Sequence, residues 1–312
     1  MRLDESEQSG NIEDRRGDSG SGGGGFGLPI GGGGLGIGAM VVLGLIGWAL
    51  GIDPRLLIGG AEILSGGQSQ YQQPSQTSGG AQVRRGAPSD DIGKFVATVL
   101  GNIDAEWTDI FQKSGQTYRK PVLVLYQGQV AGGCGMAQSA MGPFYCPNDQ
   151  KVYLDTSFFR EMETRFRGCE GKACQFSQAY VIAHEVGHHV QNLFGILPKV
   201  QQQQHGMDRA AANHLQVEVE LQADCFAGIW ANHENNRLEK AGRPSLVEPG
   251  DIEAALQTAS AIGDDTLQRK ATGRVVPDSF THGSAQQRQR WFQTGFKSGT
   301  VAACNTFSAA NL

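Results

Sequence analysis

Between Phe26 and Ile52 the chain carries no charged residue, and this run divides everything else in the sequence. Its denser part, residues 35–50 (LGIGAMVVLGLIGWAL), is apolar apart from glycine. About 20 helical residues cross a hydrocarbon core of about 30 Å. Residues 28–52 are therefore expected to form a single transmembrane helix, with Trp48 in the interfacial belt. A cleaved signal peptide begins near the N-terminus with a basic stretch and ends at a small-residue site, and this run does neither. Glycines such as Gly36, Gly38, Gly44 and Gly47 disfavour a helix buried in a water-soluble core but are tolerated in lipid.

The flanks read differently from the run and from each other. Residues 1–27 are polar and glycine-rich, with too little apolar surface to fold alone, and are expected to be disordered. Residues 53–90 are rich in Gly, Ser and Gln and read as a flexible linker. Residues 91–312 remain for a globular domain, ample for one buried core. All six cysteines follow the run: Cys134, Cys146, Cys169, Cys174, Cys225 and Cys304. Their even number and the two short separations, Cys134/Cys146 and Cys169/Cys174, suit disulfides in an oxidising compartment. No C-x-x-C pair is present to build a zinc ribbon. Arg15 and Arg16 before the run, against Arg55 after it, tilt the balance toward a cytoplasmic N-terminus and an extracytoplasmic domain. The net charge is −5, so no basic surplus exists to coat a phosphate backbone, and a nucleic-acid partner is not expected.

Periodicity gives the domain an α+β architecture, a small sheet beside several helices. Ile92, Phe95, Val96, Val99, Leu100 and Ile103 recur at helical spacing and predict a helix over 91–112. PVLVLY (121–126) and KVYLD (151–155) read as strands. Further helices are expected at 176–194, stopped by Gly195 and Pro198, at 214–231 and at 252–262. A last one should start after Ser284, where Ser284 and Gln287 form a capping box.

The chemistry concentrates in AYVIAHEVGHHVQNLFG, which contains His184-Glu185-Val186-Gly187-His188. Residues four apart on a helix share a face, with Cβ atoms about 6 Å apart, so two imidazoles can converge on one Zn²⁺. Glu185 sits at the border of that face and can act as general base on water without being a ligand. Gly187 allows another backbone close to the helix. With 7 His and 15 Glu in 312 residues, chance placement yields ~0.007 copies of H-E-x-x-H. The helix is otherwise apolar, and buried histidines need partners. His189, about 140° from His184 around the helix, reads as structural.

A third protein ligand lies among His205, His214, Glu220, Asp224 and His233. Glu220 and Asp224 fall four apart in VEVELQADCFAGIW, a helix otherwise apolar. Two buried carboxylates are costly unless paired or bound to metal. A zinc site explains both, one as ligand and the other accepting the N–H of a ligating imidazole. Glu218 reads as solvated, and His205, in the Gln-rich QQQQHG, as exposed.

HEVGHH followed by E-L-Q-A-D resembles the gluzincin arrangement of the HtpX/CAAX-prenyl group of membrane zinc endopeptidases. That resemblance implies Glu220 as the third ligand and Asp224 as the residue orienting a ligating histidine. More of the chain resembles the bacterial family of neutral zinc metallopeptidases of the YpfJ type. The likeness is carried by the Gly-rich head, the single apolar run, GPFYCPNDQKVYLD, HEVGHHVQ, ELQADCFAG and SFTHGSAQQRQRWF, which together cover most of residues 20–312. It implies a zincin-like metallopeptidase domain, Zn²⁺ as cofactor, and a single-pass protein of the bacterial inner membrane. SFTHGSAQQRQRWF also resembles the T-H-P-P-x-x-x-R stretch of HtpX-like enzymes, with Gly283 and Ser284 in place of the prolines. This implies that His282 polarises the substrate carbonyl or stabilises the oxyanion.

The expected function is a membrane-anchored zinc endopeptidase acting on unfolded or extended peptide, with Zn²⁺ on His184, His188 and Glu220 and with Glu185 as the base. An extended substrate is expected to add beside the KVYLD strand. A zinc-stabilised binding module without catalysis is the alternative from another class, though such a site needs no general base. A zinc amidase acting on peptidoglycan keeps the chemistry and changes the substrate.

Overall fold

The computed structural model describes Met1 and residues 7–18, 84–166, 173–248, 250–309 and 312. Its strands are β1 (Ile12–Asp14), β2 (Arg84–Arg85), β3 (Val122–Tyr126), β4 (Gln129–Gly132), β5 (Gly135–Gln138), β6 (Phe144–Cys146) and β7 (Lys151–Asp155). Five of them form one sheet in the order β2-β1-β3-β7-β6, and β4 and β5 make a separate hairpin. β1, β3 and β7 run parallel, while β2 and β6 are antiparallel to their neighbours. Side chains alternate across a strand. Leu123, Leu125, Val152 and Leu154 therefore enter the main core, and Val124, Tyr126 and Tyr153 meet Val130 and Ala137 of the hairpin on the other face. The Cys134–Cys146 disulfide ties the hairpin to β6.

The helices are α1 (Asp91–Lys113), α2 (Ser157–Glu161), α3 (Ala173–Leu193), α4 (Ile196–Gln204), α5 (Arg209–Lys240), α6 (Asp251–Ala261), α7 (Asp264–Thr272) and α8 (Ala285–Ser298). Asp90 caps α1 by accepting from the Gly93 N–H, and the apolar stripe foreseen there turns Val96, Leu100, Ile103 and Trp107 inward. The middle of α5 is the hub of the core. Phe226 meets Trp107 at 5.4 Å between ring centroids, and Trp230 stacks on Phe176 of α3 at 6.1 Å. A fully buried Phe such as Phe226 contributes about 1.5–3 kcal/mol by leaving water. A second disulfide, Cys225–Cys304, fixes the C-terminal segment to α5. Cys174 is disulfide-bonded as well, whereas Cys169 lies outside the described residues.

Several sequence expectations change here. Residues 7–18, within the stretch 1–27 expected to be disordered, are ordered and supply β1, an inner strand. Only Ile12 of that strand is apolar, and its neighbours hold it: it pairs with Leu123 and is 1% exposed. The end of the expected linker forms β2. KVYLD is not a free edge, because β7 is paired on both sides by β3 and β6, so no peptide can add beside it. The chain does stop at Gly195 (φ 72°), but it restarts as α4. Pro198 fits in the first turn of α4, where its missing N–H has no helical partner to lose. α5 outruns 214–231 at both ends because those turns are polar and show no apolar period. Its start is set by Asp208, which accepts from the Ala211 N–H. The expected transmembrane segment 28–52 lies outside the described residues, among which no helix is long and apolar enough to cross a membrane.

Candidate metal centre

α3 and α5 cross closely enough to bring their polar residues together. A Cβ on Gly187 would sit 3.1 Å from the Ala223 carbonyl oxygen and 3.2 Å from its Cα. The glycine at this position is what lets the two helices approach, as its place in the motif suggested. One turn of α3 then presents His184 and His188 to Glu220 of α5. Ligand atoms of the three lie within 4.8 Å of one another, and all three residues are buried. Glu220 Oε2 is 3.2 Å from His184 Nε2 and 3.5 Å from His188 Nε2.

The nitrogens facing away from this point are fixed by other groups. His184 Nδ1 meets Asp224 Oδ1 at 2.8 Å, and His188 Nδ1 meets Gln191 Oε1 at 2.8 Å. With Nδ1 carrying the proton in each ring, both Nε2 lone pairs point toward Glu220, the arrangement a metal ligand requires. Gln191 is itself held by donating to the Val219 carbonyl and to Gln222. Asp224, fully buried, also accepts from the Tyr180 hydroxyl at 2.5 Å and from Arg288 at 2.8 and 2.9 Å.

The electrostatics favour a cation. Burial works against ionised Asp224, but Arg288 and His184 outweigh it and hold the carboxyl down at about 2. Burial likewise opposes ionised Glu220, yet the charges and hydrogen bonds of His188 and His184 keep it well below the usual carboxylate range. The same carboxylates overcome desolvation at His184, raising its imidazole to about 10, and Glu220 raises His188 in the same way. Two ionised carboxylates facing one guanidinium thus draw in further positive charge. A divalent ion bound by Nε2, Nε2 and Oε2 supplies it and displaces protons. Two imidazoles with one carboxylate, leaving a coordination position open, is a catalytic rather than a structural zinc donor set. The residues present fit Zn²⁺.

Glu185 is 7% exposed, and its charge acts on His188 one turn away. His282 sits on the loop entering α8, which packs against α5 beside Glu220: a Cβ on Gly283 would lie 3.2 Å from Leu221 and 3.3 Å from Val217. Asp264, at the start of α7, shapes that loop. Its Oδ2 accepts the N–H groups of Thr281, His282 and Gly283, and its Oδ1 lies 3.5 Å from His282 Nδ1. Desolvation pulls the His282 imidazole down, but the Asp264 hydrogen bond and the Glu220 charge raise it on balance.

A family profile described as "Putative neutral zinc metallopeptidase" matches residues 1–307. The chain belongs to this family. It is 46% identical over 307 residues to the protein YpfJ of Escherichia coli (strain K12), covering 98% of this chain and 99% of the relative. It is 44% identical over 236 residues to Mb2605 of Mycobacterium bovis, covering 74% and 76%. No solved structure matches it significantly.

Within this family member the remaining histidines stay away from the cluster. His189 is structural, its ring nitrogens meeting the Tyr145 hydroxyl and the Arg119 carbonyl. His233 meets the Gly299 carbonyl, and His214 is exposed. Glu218, read as solvated, is half-buried, which raises its carboxyl. Sequence reasoning missed Tyr180, Gln191, Asp264 and Arg288. Tyr180 precedes His184 by one turn and Gln191 follows His188 by nearly one, so both share the histidine face and were open to the same spacing argument. Arg288 ends the T-H-x-x-x-x-x-R pattern, but nothing local says that its partner is Asp224. Asp264 has no sequence signal at all.

Proposed function

We propose that the protein is a zinc endopeptidase. The observation that carries this reading is the convergence of His184, His188 and Glu220 donor atoms within 4.8 Å, with the buried carboxylate of Glu185 next to them on α3. Zn²⁺ held by these three residues would supply Lewis acidity, polarising a carbonyl and making water acidic near neutral pH. Glu185 takes the proton of the attacking water and passes it to the leaving amine. His282, held in place by Asp264, donates to the oxygen on which negative charge develops. Asp224 keeps His184 in one tautomer and is kept ionised by Arg288. An extended peptide adds along β6, the end strand of the sheet, whose Tyr145 is hydrogen-bonded to His189 and Asn192 of α3; main-chain pairing holds unfolded substrates this way.

The charge-free run at 26–52 supports a location on the bacterial inner membrane. The disulfides support an extracytoplasmic domain, since such bonds persist in oxidising compartments. The test uses the full chain, because the fold includes β1. Purified protein should carry about one zinc and cleave an unfolded protein substrate, losing the activity with a chelator and regaining it with zinc. Peptide fragments released from denatured protein support the endopeptidase, whereas fragments released only from peptidoglycan transfer the same chemistry to a cell-wall amide. A zinc-loaded chain that cleaves neither contradicts the proposal.

A further inference from the structure

A single crossing by the apolar run would put the residues before it and the domain after it on opposite sides of the membrane. The sheet holds them together. β1 is an inner strand, antiparallel to β2 through Glu13↔Arg85 and Asp14↔Arg84 and parallel to β3 through Ile12↔Leu123. Lys151 of β7 donates to Glu13 at 2.8 Å, and Arg16 pairs with Asp90, the cap of α1, at 2.6 Å. Upstream of the strand, the Ser9 N–H donates to the Ala97 carbonyl of α1. The Glu7 carbonyl lies where a Cβ on Gly101 would be, 2.0 Å away, so only glycine admits it. The family profile also matches from residue 1, so this arm lies within the matched span.

We propose that residues 7–18 and the domain occupy the same side of the membrane, so that the chain between them makes no net crossing. The segment between the paired arms, residues 19–83, starts and ends at neighbouring strands. Leaving and returning across a hydrocarbon core takes about 40 apolar residues. The charge-free run has 27, and residues 63–83, the other stretch without charge, include six glutamines and four serines. The sequence therefore provides for one crossing at most, and the sheet forbids an odd number. The inference stands apart from the catalytic reading, since it uses no residue of the metal centre.

The direct test is a cross-strand cysteine pair, Glu13→Cys with Arg85→Cys, in the full chain in native membranes. The Gly86 N–H donates to the Ile12 carbonyl, which makes 13/85 a non-hydrogen-bonded pair, the kind whose side chains approach most closely. Mild oxidation should join the tryptic peptides holding residues 13 and 85, read by mass spectrometry. A separate measurement keeps the native strand intact: epitope tags at the two ends, probed by protease on sealed spheroplasts. Tags that are both cut or both protected support the proposal. One cut and one protected, with no 13–85 cross-link, overturns it and restores the single crossing.

Discussion

Replacing Asp224 with asparagine keeps the shape of the residue and removes one charge, which isolates what that charge does. Arg288 is 3% exposed and places Nε 2.8 Å from Asp224 Oδ2 and a terminal nitrogen 2.9 Å from Oδ1. An amide at this position leaves the guanidinium without its hydrogen-bonded counter-charge and sets an N–H₂ donor against another donor. Stranding one member of a buried ion pair costs about 3–5 kcal/mol, a large share of a typical stability of about 5–15 kcal/mol. Asp224→Asn should lose roughly that amount in urea unfolding with chelator present, so that metal does not contribute. It should also weaken zinc binding about 10–100-fold, the usual effect of removing the partner of a ligating imidazole. Asp224→Asn with Arg288→Met removes the stranded charge along with its partner. That double variant should recover most of the stability and none of the zinc affinity. A single variant within about 1 kcal/mol of wild type, with unchanged zinc affinity, would refute the reasoning from burial and orientation.

Two further outcomes follow from the packing. Burial pushes the Asp104 carboxyl up to about 7, against the opposing charge of Lys120 and the hydrogen bonds from Tyr118 and Ser9. The folded state then binds a proton that the unfolded state has lost above about pH 4, so stability declines from about pH 4 to about pH 7 on this account and is level above. Asp104→Asn should flatten that slope and be more stable than wild type at pH 8, as read from urea midpoints at both ends of the range. Gly187→Val should force α3 and α5 apart, costing about 1–3 kcal/mol by overpacking and weakening zinc binding by separating the histidines from Glu220. Calorimetry with and without zinc measures both.

The histidine pair was legible because its spacing is local: four residues on one helix fix the geometry before any tertiary contact forms. Glu220 and Asp224 were legible as costs, two carboxylates on an apolar helix that need a reason to be there. Arg288 and Asp264 were not, since their partners Asp224 and His282 lie 64 and 18 residues away and the contact depends on how α7 and α8 pack. The strand at Ile12–Asp14 was hidden for a related reason. With one apolar residue it has no pattern of its own, and β2 and β3 on either side make it a strand. KVYLD shows the limit of a correct local reading, because periodicity identified the strand but not its neighbours.

The central claim is that Glu185 moves a proton without holding the metal, and Glu185→Gln tests it most directly. Zinc content and hydrolysis of an unfolded substrate are measured on the same preparation of wild type and variant. The account predicts wild-type zinc content, since His184, His188 and Glu220 are untouched, with hydrolysis reduced by roughly 10²–10⁴, the usual worth of general acid–base catalysis. Equal hydrolysis by zinc-loaded wild type and variant would contradict it.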